Sequence, residues 1–346
     1  GFHDLVSGRL RGWPASLARG LLRVAEMPYT WAVLYRNGRF ARGRSPVLRV
    51  PVPVVSVGNI TAGGTGKTPM VAWLARWFLQ RKLRVALVSR GYRAARAEGW
   101  NDEARELRQR LPDVPHLQHA DRVAAARLAV ERERAQVVLL DDAFQHRRIH
   151  RDLDIVLIDA LQPFGFRHVL PRGLLREPLR GLGRADAVGL SRADAVSAEQ
   201  RQELWRELRE LAPQALPFEI AHHPAALINA QGTTRPAEVL AQQPVAAFCG
   251  IGNPDGFRHS LASLGCNVVA FRAFPDHHAF RSQDRVELEQ WIARQPPVTA
   301  LVCTCKDLVK FDVIQLAHRP LWALAVEIQF LSGQDQLETR LRSLVD

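Results

Sequence analysis

From residue 52 onward the chain alternates short apolar runs with longer stretches whose apolar positions recur every three or four residues. That alternation marks βαβ units around a parallel sheet. It predicts strands over Pro53–Val57, Arg84–Ser89, Val137–Leu140 and Ile155–Ile158, and helices over Pro69–Gln80 and Ala120–Arg134. Ser197 and Gln200 form a capping box that opens a helix to about Leu211. The proline-rich stretch Pro213–Pro244 breaks this rhythm and is expected to be a boundary. A second α/β pattern follows, with strands over Val245–Cys249, Val268–Phe271, Ala300–Cys303 and Leu321–Phe330, helices from Pro254 and near Ser282–Arg294, and a final helix.

The first 50 residues follow another pattern. A helix over Pro14–Met27 places Leu17, Leu21, Val24 and Ala25 on one face, with Arg19, Arg23 and Glu26 elsewhere and Trp13, Tyr29 and Trp31 flanking it. Such a face suits a membrane interface, and it suits packing on the protein's own core equally well.

Composition narrows the choices. With 47% hydrophobic and 24% charged residues, the chain can bury a core, which excludes disorder. No apolar run reaches the roughly 20 residues that span a bilayer, and no cleavable secretory signal is expected. The formal charge is +12, from 47 basic and 35 acidic residues, and only four of the basic ones are lysines: Lys67, Lys82, Lys306 and Lys310. Residues 1–50 carry nine arginines against Asp4 and Glu26, which is more than half of the surplus. The placement therefore points to an anionic surface at the N-terminus, and no nucleic-acid-binding motif accompanies it. The four cysteines all lie beyond residue 248; Cys303 ends an apolar strand, and Cys303 and Cys305 have no partner pair at zinc spacing and read as buried thiols.

The strongest chemical signal runs Thr61-Ala62-Gly63-Gly64-Thr65-Gly66-Lys67-Thr68, between a strand and a helix. Glycines let backbone N–H groups wrap phosphate oxygens, Lys67 reaches the β- and γ-phosphates, and the Thr68 hydroxyl binds Mg²⁺. Asp141 and Asp142 close an apolar strand and supply metal-binding carboxylates. A P-loop of this kind also fits a soluble regulatory ATPase or GTPase, but neither a lysine at position 62 nor a guanine-reading Asn-Lys-x-Asp is present.

Together with Ser56–Pro69, the run Asp141-Asp-Ala-Phe-Gln-His146 resembles the tetraacyldisaccharide 4′-kinase family. Matching segments continue at Ser89-Arg-Gly-Tyr92, Asn101-Asp-Glu103, Asp121–Ala126, Pro171–Pro178, Phe248–Pro254, Phe274–His278 and Thr304–Asp307. The resemblance implies a P-loop NTPase-type parallel sheet domain with a second, smaller α/β domain. It implies transfer of the ATP γ-phosphoryl group, with Mg²⁺, to the 4′-hydroxyl of an acylated glucosamine disaccharide 1-phosphate, giving lipid IVA. The family's base falls on Asp102 and its partner histidine on His277; Gln145, His146, Arg90, Arg176 and Glu177 are expected to line the nucleotide or acceptor site. Taken alone, Asp102 reads first as a helix N-cap for Glu103–Leu111, and the resemblance is what makes it a base. The chain departs from the family pattern at Arg93, Asn101, Ala143 and Cys305.

The expected organisation is a basic, membrane-associated segment at 1–50, a P-loop kinase domain at 51–215, a linker at 216–244, a smaller domain at 245–330 that contributes His277, and a C-terminal helix at 331–346. The expected location is peripheral, on the cytoplasmic face of the inner membrane.

Overall fold

The computed structural model describes residues 2–91, 102–311 and 313–346. In chain order its elements begin with α1 (Phe2–Val6), α2 (Trp13–Ala41), β1 (Val54–Asn59), α3 (Lys67–Gln80), β2 (Val85–Ser89), α4 (Asp102–Arg110) and β3 (His116–Gln118). Next come α5 (Arg122–Glu131), β4 (Val137–Asp141), β5 (Leu153–Asp159), β6 (Ala187–Ser191), α6 (Ala198–Leu211), β7 (Leu216–Ile228) and β8 (Thr234–Pro236). The chain continues through β9 (Pro244–Cys249), α7 (Pro254–Ser263), β10 (Asn267–Ala273), α8 (Ser282–Ala293), β11 (Ala300–Thr304) and α9 (Cys305–Leu308). It ends with β12 (Gln315–Leu316), β13 (Arg319–Ser332) and α10 (Gln334–Arg342).

One continuous sheet runs β10-β9-β11-β13-β7-β6-β5-β1-β4-β2-β3. Strands β1, β4, β5 and β6 are buried along their whole length, as expected of largely apolar parallel strands covered on both faces. Two parallel blocks meet at β7 and β13, which pair antiparallel over Glu219–Ile228 and Ala323–Ser332. The N-terminal block leaves β7 at Ile220, opposite Ser191, whereas the C-terminal block reaches its carboxyl edge where Thr304 pairs with Leu324, opposite Leu227. The carboxyl edges of the two blocks therefore face each other across the middle of the β7–β13 pair. Ligands of open α/β sheets bind at such edges.

The structure revises two expectations. The stretch 216–244, expected as a linker, contains two strands: β7 pairs with both blocks, and β8 pairs with β7. Pro217 pairs with Val188 of β6 ahead of the first β13 pairing, and Pro224 sits at the register shift between Ala325 and Val326. Helix α2 was expected to stop near Met27 but continues through Pro28 to Ala41, because Tyr29, Val33 and Asn37 on its second half dock against the body. The C-terminal helix α10 belongs to the N-terminal block, where Leu337 and Leu341 are fully buried beside Val55, Met70 and Leu74. The capping box of Ser197 and Gln200 forms at the start of α6 as its sequence predicts.

Candidate active site

The phosphate loop leaves β1 at Asn59 and enters α3 at Lys67. Gly63 and Gly66 take φ of 127° and 85°, conformations that side-chain-bearing residues rarely adopt. The loop is pinned from behind, with Ala62 N donating to Leu174 O (2.7 Å) and Arg176 N to Ile60 O (2.8 Å). Lys67 is buried, and its ammonium lies 3.5 Å from Asp142. Arg176 grips both carboxylate oxygens of Asp142 at 2.7 and 2.8 Å, and Arg122 donates to the Asp142 carbonyl. Asp142 itself takes φ 50°, a strained backbone of the kind that collects at functional sites. Ala143, in the glycine position of the family pattern, is fully buried with negative φ; the strain sits one residue earlier.

The surroundings act in opposite directions on the neighbouring carboxylates. Burial, with Glu103 and Asp142 adding repulsion, pushes Asp141 up to about 7, and its Oδ1 has no hydrogen-bond partner. Burial acts to raise Asp142 too, but Lys67 and Arg176 outweigh it and hold that carboxyl well below the usual range. A buried carboxylate oxygen without a partner, beside the half-buried Thr68, fits a divalent cation completed by phosphate oxygens. Among the described residues, no group of three or more His, Cys, Asp or Glu side chains is arranged to hold a metal by itself. Cys303 and Cys305 are buried thiols, with Cys305 pushed up to about 12 by burial.

Asp102 opens α4 on the N-terminal block and meets the C-terminal block. Its Oδ2 lies 3.5 Å from His277 Nδ1 and 3.0 Å from Lys310 Nζ. Burial opposes ionisation of Asp102, but the His277 hydrogen bond and the charges of Lys310 and Lys306 win and lower its pKa. Glu103, the next residue, bonds to Lys306 at 3.8 Å, and its charge is felt at both Asp141 and Arg176. The Asp102–Glu103 turn thus faces the Lys67–Asp141–Asp142 cluster.

The remaining expected residues divide. Arg176 stands at Asp142. His146 is partly buried, its pKa lowered to about 4 by burial and by Arg122 and Arg148. Arg90 is exposed at the end of β2, near enough to Arg122 for their charges to repel. Glu177, expected to contact the acceptor, is fully buried; its carboxylate accepts from Asn37 (2.8 Å), Gln145 (3.1 Å) and Arg184 (2.9 Å). Gln145 also donates to Asn59 O, so this pair ties α2 to the root of the phosphate loop rather than lining the cleft. Tyr92, Arg93 and Asn101, singled out in the sequence, lie outside the described residues.

Sequence reasoning passed over a second group. Arg192 bonds to Asp159 (2.8 Å) and to Gly64 O (3.2 Å), and Asn253 of the C-terminal block donates to the same Asp159. Gly252 packs against Gly63. These residues join the phosphate loop to the C-terminal block; their signal was a polar residue at the end of an apolar strand, at Asp159 and after Ser191. Lys306 and Lys310 were likewise unassigned, although lysine is scarce in this chain.

A family model described as "LpxK: Tetraacyldisaccharide-1-P 4'-kinase" matches residues 18–346. A protein of Anaeromyxobacter sp. (strain K) named "Tetraacyldisaccharide 4'-kinase" is 40% identical over 348 residues, spanning 94% of this chain and 90% of its own. One of the same name from Syntrophus aciditrophicus (strain SB) is 37% identical over 332 residues, spanning 89% and 88%. Among solved structures, the "apo" form of LpxK from Aquifex aeolicus in complex with ATP matches with a TM-score of 0.70 at 28% identity, covering 95% of this chain and all of that one.

Proposed function

The chain belongs to the tetraacyldisaccharide-1-P 4′-kinase family, and from that premise we propose that its cleft moves the γ-phosphoryl group of ATP to the 4′-hydroxyl of a tetraacylated glucosamine disaccharide 1-phosphate, giving lipid IVA. The observation that carries this reading is the apposition of two clusters: Lys67, Asp141, Asp142 and Arg176 at the phosphate loop, and Asp102 with His277 across from it. A regulatory ATPase or GTPase needs the first cluster and has no use for the second.

In this reading the phosphate-loop backbone and Lys67 hold the ATP phosphates, and Arg176 keeps Asp142 ionised and fixed. Thr68, Asp141 and Asp142 would hold Mg²⁺, which when bound neutralises charge on the phosphates. Asp102 takes the proton of the acceptor hydroxyl as its oxygen bonds to the γ-phosphorus and the bond to the β-phosphate oxygen breaks. Because Asp102 and His277 come from opposite blocks, their apposition also keeps water from the γ-phosphate.

The outer face of α2 supports docking on an anionic leaflet. Trp13, Leu17, Leu21, Val24, Met27, Trp31 and Tyr35 are all more than half exposed along it, while Glu26 on the inner face bonds to His168 and Val169 N. Among the described residues, no helix is long and apolar enough to cross a membrane. We place the protein peripherally, on the cytoplasmic face of the inner membrane, where ATP is supplied.

The test is direct. Incubation with Mg·ATP and tetraacyldisaccharide 1-phosphate should yield a product heavier by one phosphate, which mass spectrometry places at the 4′ position. ATP hydrolysis without that product would sink the reading.

A further inference from the structure

In this chain arginine is the habitual cation and lysine the exception, with four in 346 residues. Three of those four lie in one cleft: Lys67 at the phosphates, Lys306 and Lys310 at Asp102. The last two are both largely buried and both face carboxylates.

Lys310 stands between two acids. Its Nζ lies 3.0 Å from Asp102 Oδ2 and 3.4 Å from Asp307 Oδ1, with the Phe280 ring 5.6 Å away. Asp307 is fully buried and fixed in turn, its Oδ2 accepting from Gly250 N (3.0 Å) and the Thr304 hydroxyl (2.7 Å). A rigid anchor at the carboxyl edge of β9 and β11 thus sets where the ammonium sits. Lys306 stands on the other side of the imidazole. Its Nζ donates to His277 Nε2 at 3.4 Å and to Asp276 at 3.2 Å. An Nε2 that accepts leaves the ring hydrogen on Nδ1, which faces Asp102 Oδ2.

We propose that Lys310 and Lys306 are positioning residues for the base: Lys310 holds Asp102 by Oδ2, and Lys306 fixes the His277 tautomer that donates to that same oxygen. Both supports converge on Oδ2, so Oδ1 is left to receive the hydroxyl proton. The proposal rests on the reading of Asp102 as base and adds what keeps it ionised and aimed. The role suits a compact point charge. An ammonium satisfies single oxygens of Asp102 and Asp307 within a narrow slot, whereas a planar guanidinium needs room for a fork and approaches carboxylates in pairs. Among the described residues, the His277 hydrogen bond and the charges of Lys310 and Lys306 lower the Asp102 pKa, with Asp276, Asp307 and Glu103 paired to those lysines. A base must be ionised, so its activity fades as pH falls through its pKa; removing a neighbouring cation raises that pKa and moves the acid limb to higher pH.

The experiment compares kcat, KM for ATP and the pH dependence of kcat for the full chain and for Lys310→Met, Lys310→Arg, Lys306→Met and Asp102→Asn, with circular dichroism and ATP binding confirming the fold. Lys310→Met should lower kcat by about 10²-fold, the cost of a misplaced reacting group. KM for ATP should stay within about twofold, because binding common to ground and transition states is untouched. The acid limb should move to higher pH, and Lys310→Arg should not restore it. Lys306→Met should move the limb in the same direction by a smaller step. A near-normal Asp102→Asn enzyme would overturn the reading of Asp102 itself. An inactive Asp102→Asn beside a Lys310→Met enzyme whose acid limb has not moved overturns only the role given to the lysines. Should Lys310→Met fail to fold, an unmoved limb in Lys306→Met overturns the proposal on its own.

Discussion

At the phosphate end of the cleft the backbone amides and the charged side chains come from the N-terminal block: N–H groups on a loop pinned by Leu174 and Arg176, the buried Lys67, and two carboxylates ending β4 and its turn. At the base end, Asp102 and Glu103 come from that block, and His277, Lys306 and Lys310 reach them from the other. The first site is complete on its own scaffold. The second exists only while the blocks are apposed, held by the long β7–β13 pair and by Asn253 against Asp159. Under the proposed function the two ends have distinct duties: nucleotide affinity belongs to the built-in end, and commitment to transfer belongs to the assembled one. Substitutions at the phosphate end should therefore disturb binding and turnover together, and those at the base end turnover alone.

The largest expected effect tests the first half of that statement. Lys67→Ala removes the buried ammonium from the phosphates and leaves Asp142 with Arg176 as its remaining close ion pair. Loss of one such preorganised charge costs about 10²–10³-fold in turnover, and a phosphate contact adds a rise in KM for ATP. Steady-state kinetics at saturating lipid separates the two. A fall in kcat with unchanged ATP affinity would put Lys67 on the same footing as Lys310 and dissolve the distinction.

The two ends also differ in how they were written. The phosphate loop is local: glycines, lysine and threonine within eight residues name their own chemistry, and Asp141 ends a run of four apolar residues. Asp102 and His277 came from the resemblance, since nothing near either residue says that segments 175 residues apart will meet. Lys306 and Lys310 carried a faint signal in their rarity, but a lysine near a turn is ordinary until its carboxylate is placed. Arg192, Asp159 and Asn253 likewise acquire meaning only through sheet order, as β5 and β6 bring the first two beside the phosphate loop. Proline misled for a physical reason. Pro217 precedes the β13 pairing and Pro224 sits at a register shift, while Pro28 stands inside α2, where the docking of Tyr29, Val33 and Asn37 overrode the local preference.

Glu177 provides a sharper contrast between lining a site and supporting it. Its carboxylate gathers Asn37 from α2, Gln145 from the metal turn and Arg184, with no exposed surface. Glu177→Ala leaves the largely buried Arg184 without its partner, a change that costs about 3 kcal/mol of stability. The expected outcome is a lower unfolding midpoint in denaturant and easier proteolysis within residues 1–41, with KM for the lipid changed little in the fraction that remains folded. Normal stability with a raised lipid KM would return Glu177 to the acceptor site.

The smallest effect concerns a surface that neither end of the cleft uses. The inner face of α2 is tied down by Glu26, Tyr29 and Asn37, so the apolar residues on its outer face contribute little to the fold. Leu17 and Leu21 are 57% and 64% exposed. Burying the exposed part of each in a bilayer interface contributes about 1 kcal/mol, so Leu17→Ser with Leu21→Ser should weaken partitioning by about 30-fold. Co-sedimentation with vesicles containing anionic lipid reads this directly, and the arginines of the first 50 residues add a salt-sensitive part that the substitutions leave in place. The unfolding midpoint should not move, and turnover of substrate dispersed in detergent should match the unaltered chain. Equal sedimentation of the two proteins would remove the membrane from the account of α2. A loss of turnover in detergent would show instead that this face takes part in the chemistry, and the separation between delivery and catalysis would have to be redrawn.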